Sequence, residues 1–311
     1  MFKQNFLKKE KISKRVFKEF KDSNINYINL LNLKKNKLKV FYKKNKNILN
    51  FSKKLKYVLK NKKPAILIDL GDFKNEMSVN QFRKFILYLG LSMGELLSQN
   101  EKNDKIVCVY DRGKSKSMKS GARYHQTNEG GSIHTDNVNI PIYWDYLLFS
   151  CVSPAKIGGE SIIVDGAQVY NLLKKKYPDS LKILKKKFLW EKRGISKKIF
   201  KAPIIKKINK KINFRYLRLY MESAHLRAKK KFKNEEIVAL DILDRILHNR
   251  KFQMRFKMKK YQTLITLDSR VLHGRTNFKD SIKAVNLEEY IKKKEKGILK
   301  RTMERMWVKN R

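Results

Sequence analysis

His134 and Asp136 stand two positions apart, and His273 follows far downstream in the run Val271-Leu272-His273-Gly274-Arg275. Two imidazoles and one carboxylate make the facial triad that binds Fe(II) and leaves positions open for a co-substrate and O2. The spacing has a physical sense. Alternate residues of a strand point the same way, so His134 and Asp136 would reach one ion from a single short strand end. His273 would complete the face from another strand. A His-x-Asp triplet arises often by chance, and its weight depends on the residues around it.

Those residues fall into ordered blocks. After the triplet come Trp144-Asp145-Tyr146-Leu147-Leu148-Phe149, then Gly158-Gly159-Glu160-Ser161 and Val164-Asp165-Gly166. The chain closes with Leu272-His273-Gly274-Arg275 and Arg301-Thr302-Met303-Glu304-Arg305-Met306-Trp307. In this order the blocks resemble the taurine dioxygenase family of Fe(II)- and 2-oxoglutarate-dependent oxygenases. The wording is closest to its γ-butyrobetaine hydroxylase and clavaminate synthase branches. The resemblance runs from about residue 64 to residue 311 and is sharp only at these blocks.

The resemblance implies a role for each matching position. His134, Asp136 and His273 fall on the iron ligands, and Arg301 on the arginine that pairs with the distal carboxylate of 2-oxoglutarate. A planar guanidinium suits that task, since its fork meets a carboxylate with two parallel hydrogen bonds. Ser161 stands where relatives carry a threonine hydroxyl on the same carboxylate. Arg305 shares a strand face with Arg301, with Met303 between them, and falls where relatives meet an acidic group of the substrate. The competing reading pairs Arg305 with an internal acid such as Glu222 or Asp268. Tyr124, His125 and Asn128 precede the triad where relatives line the substrate pocket. Relatives hold the co-substrate arginine closer to the distal histidine than Arg301 is, so residues 279–300 read as an inserted loop or short helix. Arg275 is the rival for that role.

The implied reaction hydroxylates an amino-acid-like or other carboxylate-bearing small molecule with O2, releasing succinate and CO2. Desaturation or cyclisation would use the same residues. The alternatives are an oxygenase acting on a nucleic acid or other macromolecule, and a non-catalytic barrel that binds polyanions.

Composition bears on those alternatives. The chain has 311 residues, 75 Lys and Arg against 28 Asp and Glu, and a formal charge of +47. Such a charge points toward nucleic acid or an anionic membrane. Here, however, the basic residues are mostly Lys, spread along the whole chain beside abundant Asn and Ile. An AT-rich genome imposes that mix, whereas base readers cluster Arg. Cys108 and Cys151 both lie in apolar runs and read as buried thiols, consistent with a reducing cytoplasm. The apolar stretch 85–97 is broken by Gly90 and Gly94 and falls short of the ~20 residues that span a bilayer.

The elements that must position the triad are legible in part. Ala65 to Leu70 reads as a buried strand, and Ile106 to Tyr110 as another. Ser78 caps a helix with Phe82, Phe85, Ile86, Leu89 and Met93 on one face. Asp165 caps a second, and Glu235-Glu236 opens a third. Residues 1–60 read as a Lys-rich segment of short helices and an edge strand packed on a domain spanning 61–311. Residues 185–233 read as a basic, irregular insertion whose aromatic-interleaved part, Phe214 to Tyr220, folds over the site or stacks on single-stranded nucleic acid. Short strands, glycine turns and few long helices predict a mainly β fold with flanking helices, a jelly-roll, cupin-like double-stranded β-helix.

Overall fold

Period-two alternation builds two sheets that face each other. The computed structural model describes residues 5–23, 31, 35–113, 124–192, 196, 198–208 and 211–310. Within them the strands follow as β1 (Leu7–Lys11), β2 (Ala65–Asp69), β3 (Glu95–Leu96), β4 (Ile106–Val109), β5 (Tyr146–Ser153), β6 (Ile157–Gly158), β7 (Ser161–Asp165) and β8 (Lys187–Glu191). Then come β9 (Ile199–Pro203), β10 (Ile205–Ile208), β11 (Lys211–Phe214), β12 (Gln253–Phe256), β13 (Thr263–Leu267), β14 (Val271–Arg275), β15 (Phe278–Lys279) and β16 (Thr302–Lys309). The large sheet runs β1-β2-β13-β5-β16-β3, with β4 also on β16, and the small sheet runs β12-β7-β14. Every pair in them is antiparallel except β1 on β2.

Alternation assigns each side chain to a layer. In β2, β5, β13 and β16 the residues Leu67, Cys151, Leu264 and Met303 point inward and meet Ile163 and Val271 of the small sheet. Their neighbours Ile66, Leu148, Ile265 and Met306 point outward, into a core shared with helices Lys46–Asn61 and Val79–Met93. Ser78 starts the second of these helices as predicted, its hydroxyl accepting from Gln81 N while the Gln81 side chain accepts from Ser78 N. On the other side, Ile162, Val164 and Leu272 of the small sheet pack against helices Gly166–Lys176 and Asn234–His248. This is the double-stranded β-helix that the sequence predicts, with more helix around it than the short-strand pattern suggests.

The first sixty residues supply the parallel edge strand β1 and helices Lys14–Asp22, Lys35–Lys44 and Lys46–Asn61. Val16, Phe17 and Phe20 enter the same outer core as the sheet. The described residues of 185–233 carry more regular structure than their composition implies. They form hairpins β8–β9 and β10–β11 and the helix Arg218–Arg227, because Phe188, Trp190, Phe214, Tyr216 and Tyr220 all turn inward. Residues 279–300, read above as an insertion, carry helix Leu287–Lys292, and Val285 bridges Leu299 to return the chain to β16. Glu295 then accepts hydrogen bonds from Val79 N and Asn80 N at 2.8 and 3.1 Å, a carboxylate at a helix N-terminus. Among the described residues no helix is long and apolar enough to cross a membrane.

Candidate active site

The triad lies at the mouth between the sheets. His273 stands on β14, and His134 bridges it, each backbone N–H donating to the other's carbonyl at 2.8 and 2.7 Å. The expected strand under His134 and Asp136 is reduced to this one bridge. Thr135 is extended, and Asp136 already opens a 3-10 turn over Asp136–Val138. One extended residue is enough to turn both side chains to the same side. The ligand atoms of His134, Asp136 and His273 lie within 4.8 Å of one another. Asp136 Oδ1 is 3.7 Å from His134 Nε2 and 3.8 Å from His273 Nε2.

Gly274 makes the close approach of the two chains feasible. A Cβ there would stand 2.5 Å from Ser132 O, inside any real contact distance. Gly274→Ala should therefore push the His134 segment off β14, costing about 1–3 kcal/mol of stability. It should also weaken metal binding while every ligand side chain stays present. Denaturant unfolding and a Co(II) titration measure the two effects, and unchanged metal affinity would refute the spacing argument.

Electrostatics prepare the three groups for a divalent cation. Burial lowers the pKa of His134 to about 3, with His273 adding to the effect, and burial likewise lowers that of His273. Both rings are therefore neutral near pH 7. Burial works against ionisation of Asp136, but Arg305 and then the two imidazoles outweigh it and hold the carboxyl well below its ordinary range. Neutral imidazoles and an ionised carboxylate are the protonation states that metal binding needs. Asp136 is further fixed by Arg305 Nη1 on Oδ1 and Trp307 Nε1 on Oδ2, both at 3.0 Å. Its backbone N–H donates to Asp268 at 3.3 Å.

Arg301, Ser161 and Arg275 line the same cavity as the triad, but the two arginines are spent differently. Arg275 Nη2 donates to Tyr124 O and Thr127 O at 3.0 and 2.6 Å, and its guanidinium lies 4.0 Å from the Tyr124 ring centre. It clamps the loop before the triad. Arg301 is 2% exposed, its Nη1 has no hydrogen-bond partner among the described residues, and Phe278 covers its guanidinium at 4.7 Å. Burial, helped by Arg275 nearby, pushes its pKa down to about 10, which leaves it charged at neutral pH. A buried cation with an orphaned donor fits an anionic group such as a carboxylate. The glycine pair before Ser161 gives it room: Gly159 has φ +70, and a Cβ there would come within 3.3 Å of Arg301 Nε.

Comparison with known proteins now decides the family. The profile of the taurine catabolism dioxygenase TauD, TfdA family matches residues 55–288. The chain belongs to that family. The neutral-imidazole, carboxylate and buried-arginine set fits Fe(II) and 2-oxoglutarate. The FR-33289 synthase of Streptomyces rubellomurinus (strain ATCC 31215) is 25% identical over 199 residues, 62% of this chain and 56% of that protein. The match thus takes in little more than half of that relative's length. Among solved structures, asparagine oxygenase with Fe(II), 3-hydroxyasparagine and succinate superposes with a TM-score of 0.68 at 10% identity, covering 96% of this chain and 93% of that one. The non-heme iron oxygenase OrfP with Fe and alpha-ketoglutaric acid gives 0.62 at 12%, covering 97% and 94%. At such identities these two likenesses speak to the fold. The family match ends before Arg301 and Arg305, so their reading rests on the geometry here.

The remaining expected site residues divide. His125 is buried and lines the cavity with Tyr124, whose ring meets His134 edge-on at 4.9 Å. Asn128 is exposed and stands off the cavity, because its loop turns outward to give its carbonyl to Phe278 N. Arg305, read above as a contact to the substrate's acidic group, is partly spent inside the protein. It takes an internal acid, but that acid is Asp136 rather than Glu222 or Asp268, while its Nε donates to Gln99 at 2.8 Å. Glu222 pairs with Arg218 instead. Sequence reasoning missed Trp307 and Gln99. The first was within reach, since positions 301, 303, 305 and 307 share one strand face.

Asp165 caps helix Gly166–Lys176 and pairs with Arg270 through two 2.8 Å hydrogen bonds, a structural task. Burial pushes the Cys108 and Cys151 thiols up to about 12, which keeps them inert.

Proposed function

We propose that this protein is an Fe(II)- and 2-oxoglutarate-dependent dioxygenase that hydroxylates a small amino-acid-like or other carboxylate-bearing molecule. The observation that carries the reading is a single cavity holding the converged triad, the orphaned Nη1 of Arg301 and the Arg305 guanidinium. In this reading His134, Asp136 and His273 hold the iron, Arg301 pairs with the distal carboxylate of 2-oxoglutarate, and the Ser161 hydroxyl adds a hydrogen bond. When bound, iron and 2-oxoglutarate supply the power to oxidise an unactivated C–H bond, with release of succinate and CO2. The apolar walls, among them Leu147, Phe149, Ile163 and Leu264, keep water from the reacting carbon.

Arg305 faces the substrate side. Its Nη1 is taken by Asp136, whereas Nη2 is buried with no partner among the described residues. That leaves one charged N–H for an acidic group of the substrate. The amino acids bound in the two solved neighbours, 3-hydroxyasparagine in asparagine oxygenase and (3S)-hydroxy-L-Arg in OrfP, accord with such a group. A screen of amino acids and simple carboxylates for stimulated succinate formation, with the oxygenated product identified by mass, tests the proposal. With a substrate in hand, Arg305→Ala should raise its KM about tenfold or more, in line with ~1.5–3 kcal/mol for a charged hydrogen bond. Affinity for 2-oxoglutarate should change little. A good substrate with no acidic group would end this account of Arg305.

A further inference from the structure

Among the described residues the segment that carries Asp136 has no strand partner beyond the His134 bridge, and residues 214–216 hold it instead. Thr135 N donates to Tyr216 O at 2.9 Å, and Tyr216 N donates to Thr135 Oγ1 at 3.1 Å. Asn137 Nδ2 donates to Phe214 O at 3.0 Å. Between these contacts lies Arg215, wholly buried, with its guanidinium spread over three carbonyls. Nη1 donates to Asn137 O and Ile140 O, and Nη2 to Pro141 O at 3.0 Å. The rings of Tyr143 and Phe200 lie 4.9 and 5.2 Å from it. Arg215 forms no ion pair among the described residues.

Burying a cation with carbonyls and the Tyr143 side chain as its hydrogen-bond partners is costly, and an apolar side chain of that size would fill the space for less. What an apolar residue cannot do is bind three carbonyls of one loop through a rigid planar fork. The loop so bound begins at Asp136. The segment that binds it runs on into Leu217 and Tyr220, which line the cavity beside His134 and Asp136.

We propose that Arg215 is a positioning residue of the metal site. By tying the 137–141 loop to the 214–217 segment, it fixes the Asp136 carboxylate and the cavity wall of Leu217 and Tyr220 as one body. The inference rests on Asp136 being a metal ligand, as read above.

Co(II) is the probe, because its visible spectrum reports coordination as well as affinity. The full chain is titrated as wild type, Arg215→Lys, Asn137→Ala, Leu243→Ala and His134→Ala, with near-UV circular dichroism and thermal unfolding alongside. Arg215→Lys keeps the charge but loses the fork. It should bind Co(II) about 10- to 100-fold more weakly, with an altered spectrum, as loss of an outer partner of a metal ligand does elsewhere. Leu243→Ala opens a hole in the same core without touching the loop, so it should lose stability yet keep Co(II) affinity. Wild-type affinity and spectrum in Arg215→Lys overturn the proposal, as does an equal loss in Leu243→Ala. Should Arg215→Lys fail to fold, Asn137→Ala releases the same loop from Phe214 and is judged by the same two readings. Equal Co(II) binding by wild type and His134→Ala would instead overturn the metal reading itself, and this inference with it.

Discussion

Alanine at His273 abolishes Fe(II)-dependent conversion of 2-oxoglutarate to succinate, and alanine at His134 or Asp136 does the same. Each change removes one of three ligand atoms that lie within 4.8 Å of one another, and two ligands from one short segment cannot hold the face that co-substrate and O2 require. His273 is the most informative of the three. It comes from a segment far downstream in the sequence, and its place depends on the β7–β14 ladder and on the bridge to His134 rather than on the His-x-Asp spacing. Succinate formation and Co(II) absorption, measured on folded protein, check the result. Retained turnover in His273→Ala would remove it from the ligand set.

Arg301→Gln weakens 2-oxoglutarate far more than Arg275→Gln does. Arg301 keeps its terminal Nη1 buried without a partner among the described residues, whereas Arg275 gives its Nη2 to Tyr124 O and Thr127 O and leaves only its inner Nε unpaired. A hydrogen-bonded pair to a charged group is worth roughly 1.5–3 kcal/mol, or about 10- to 150-fold in affinity. The Arg275 variant should show a different defect. Freeing the 124–127 loop lowers thermal stability and loosens the wall that carries Tyr124 and His125. Titration of 2-oxoglutarate into the metal-loaded variants separates the two. Equal or reversed losses would give the co-substrate role to Arg275 and make the 279–300 insertion irrelevant to it.

Local physics explains what the sequence determined by itself. Period-two alternation is a property of the strand, so it placed Met303 and Arg305 on one face of β16, with Arg301 just ahead of that strand, before any neighbour was known. Caps are equally local: Ser78 and Asp165 satisfy N–H groups two or three residues away. The tertiary structure alone decided which partners these faces meet. Arg305 meets Asp136 and Trp307 meets the other oxygen of the same carboxylate, across more than half the chain. The order of residues 185–233 depends on aromatic side chains finding a core that the small sheet and later helices complete. Arg215 acts on Asp136 through the backbone of residues 137–141, and Asn128 turns away because its carbonyl is needed by Phe278. Contacts between segments so far apart leave no periodicity in either one. Only closure of the two sheets brings them within reach.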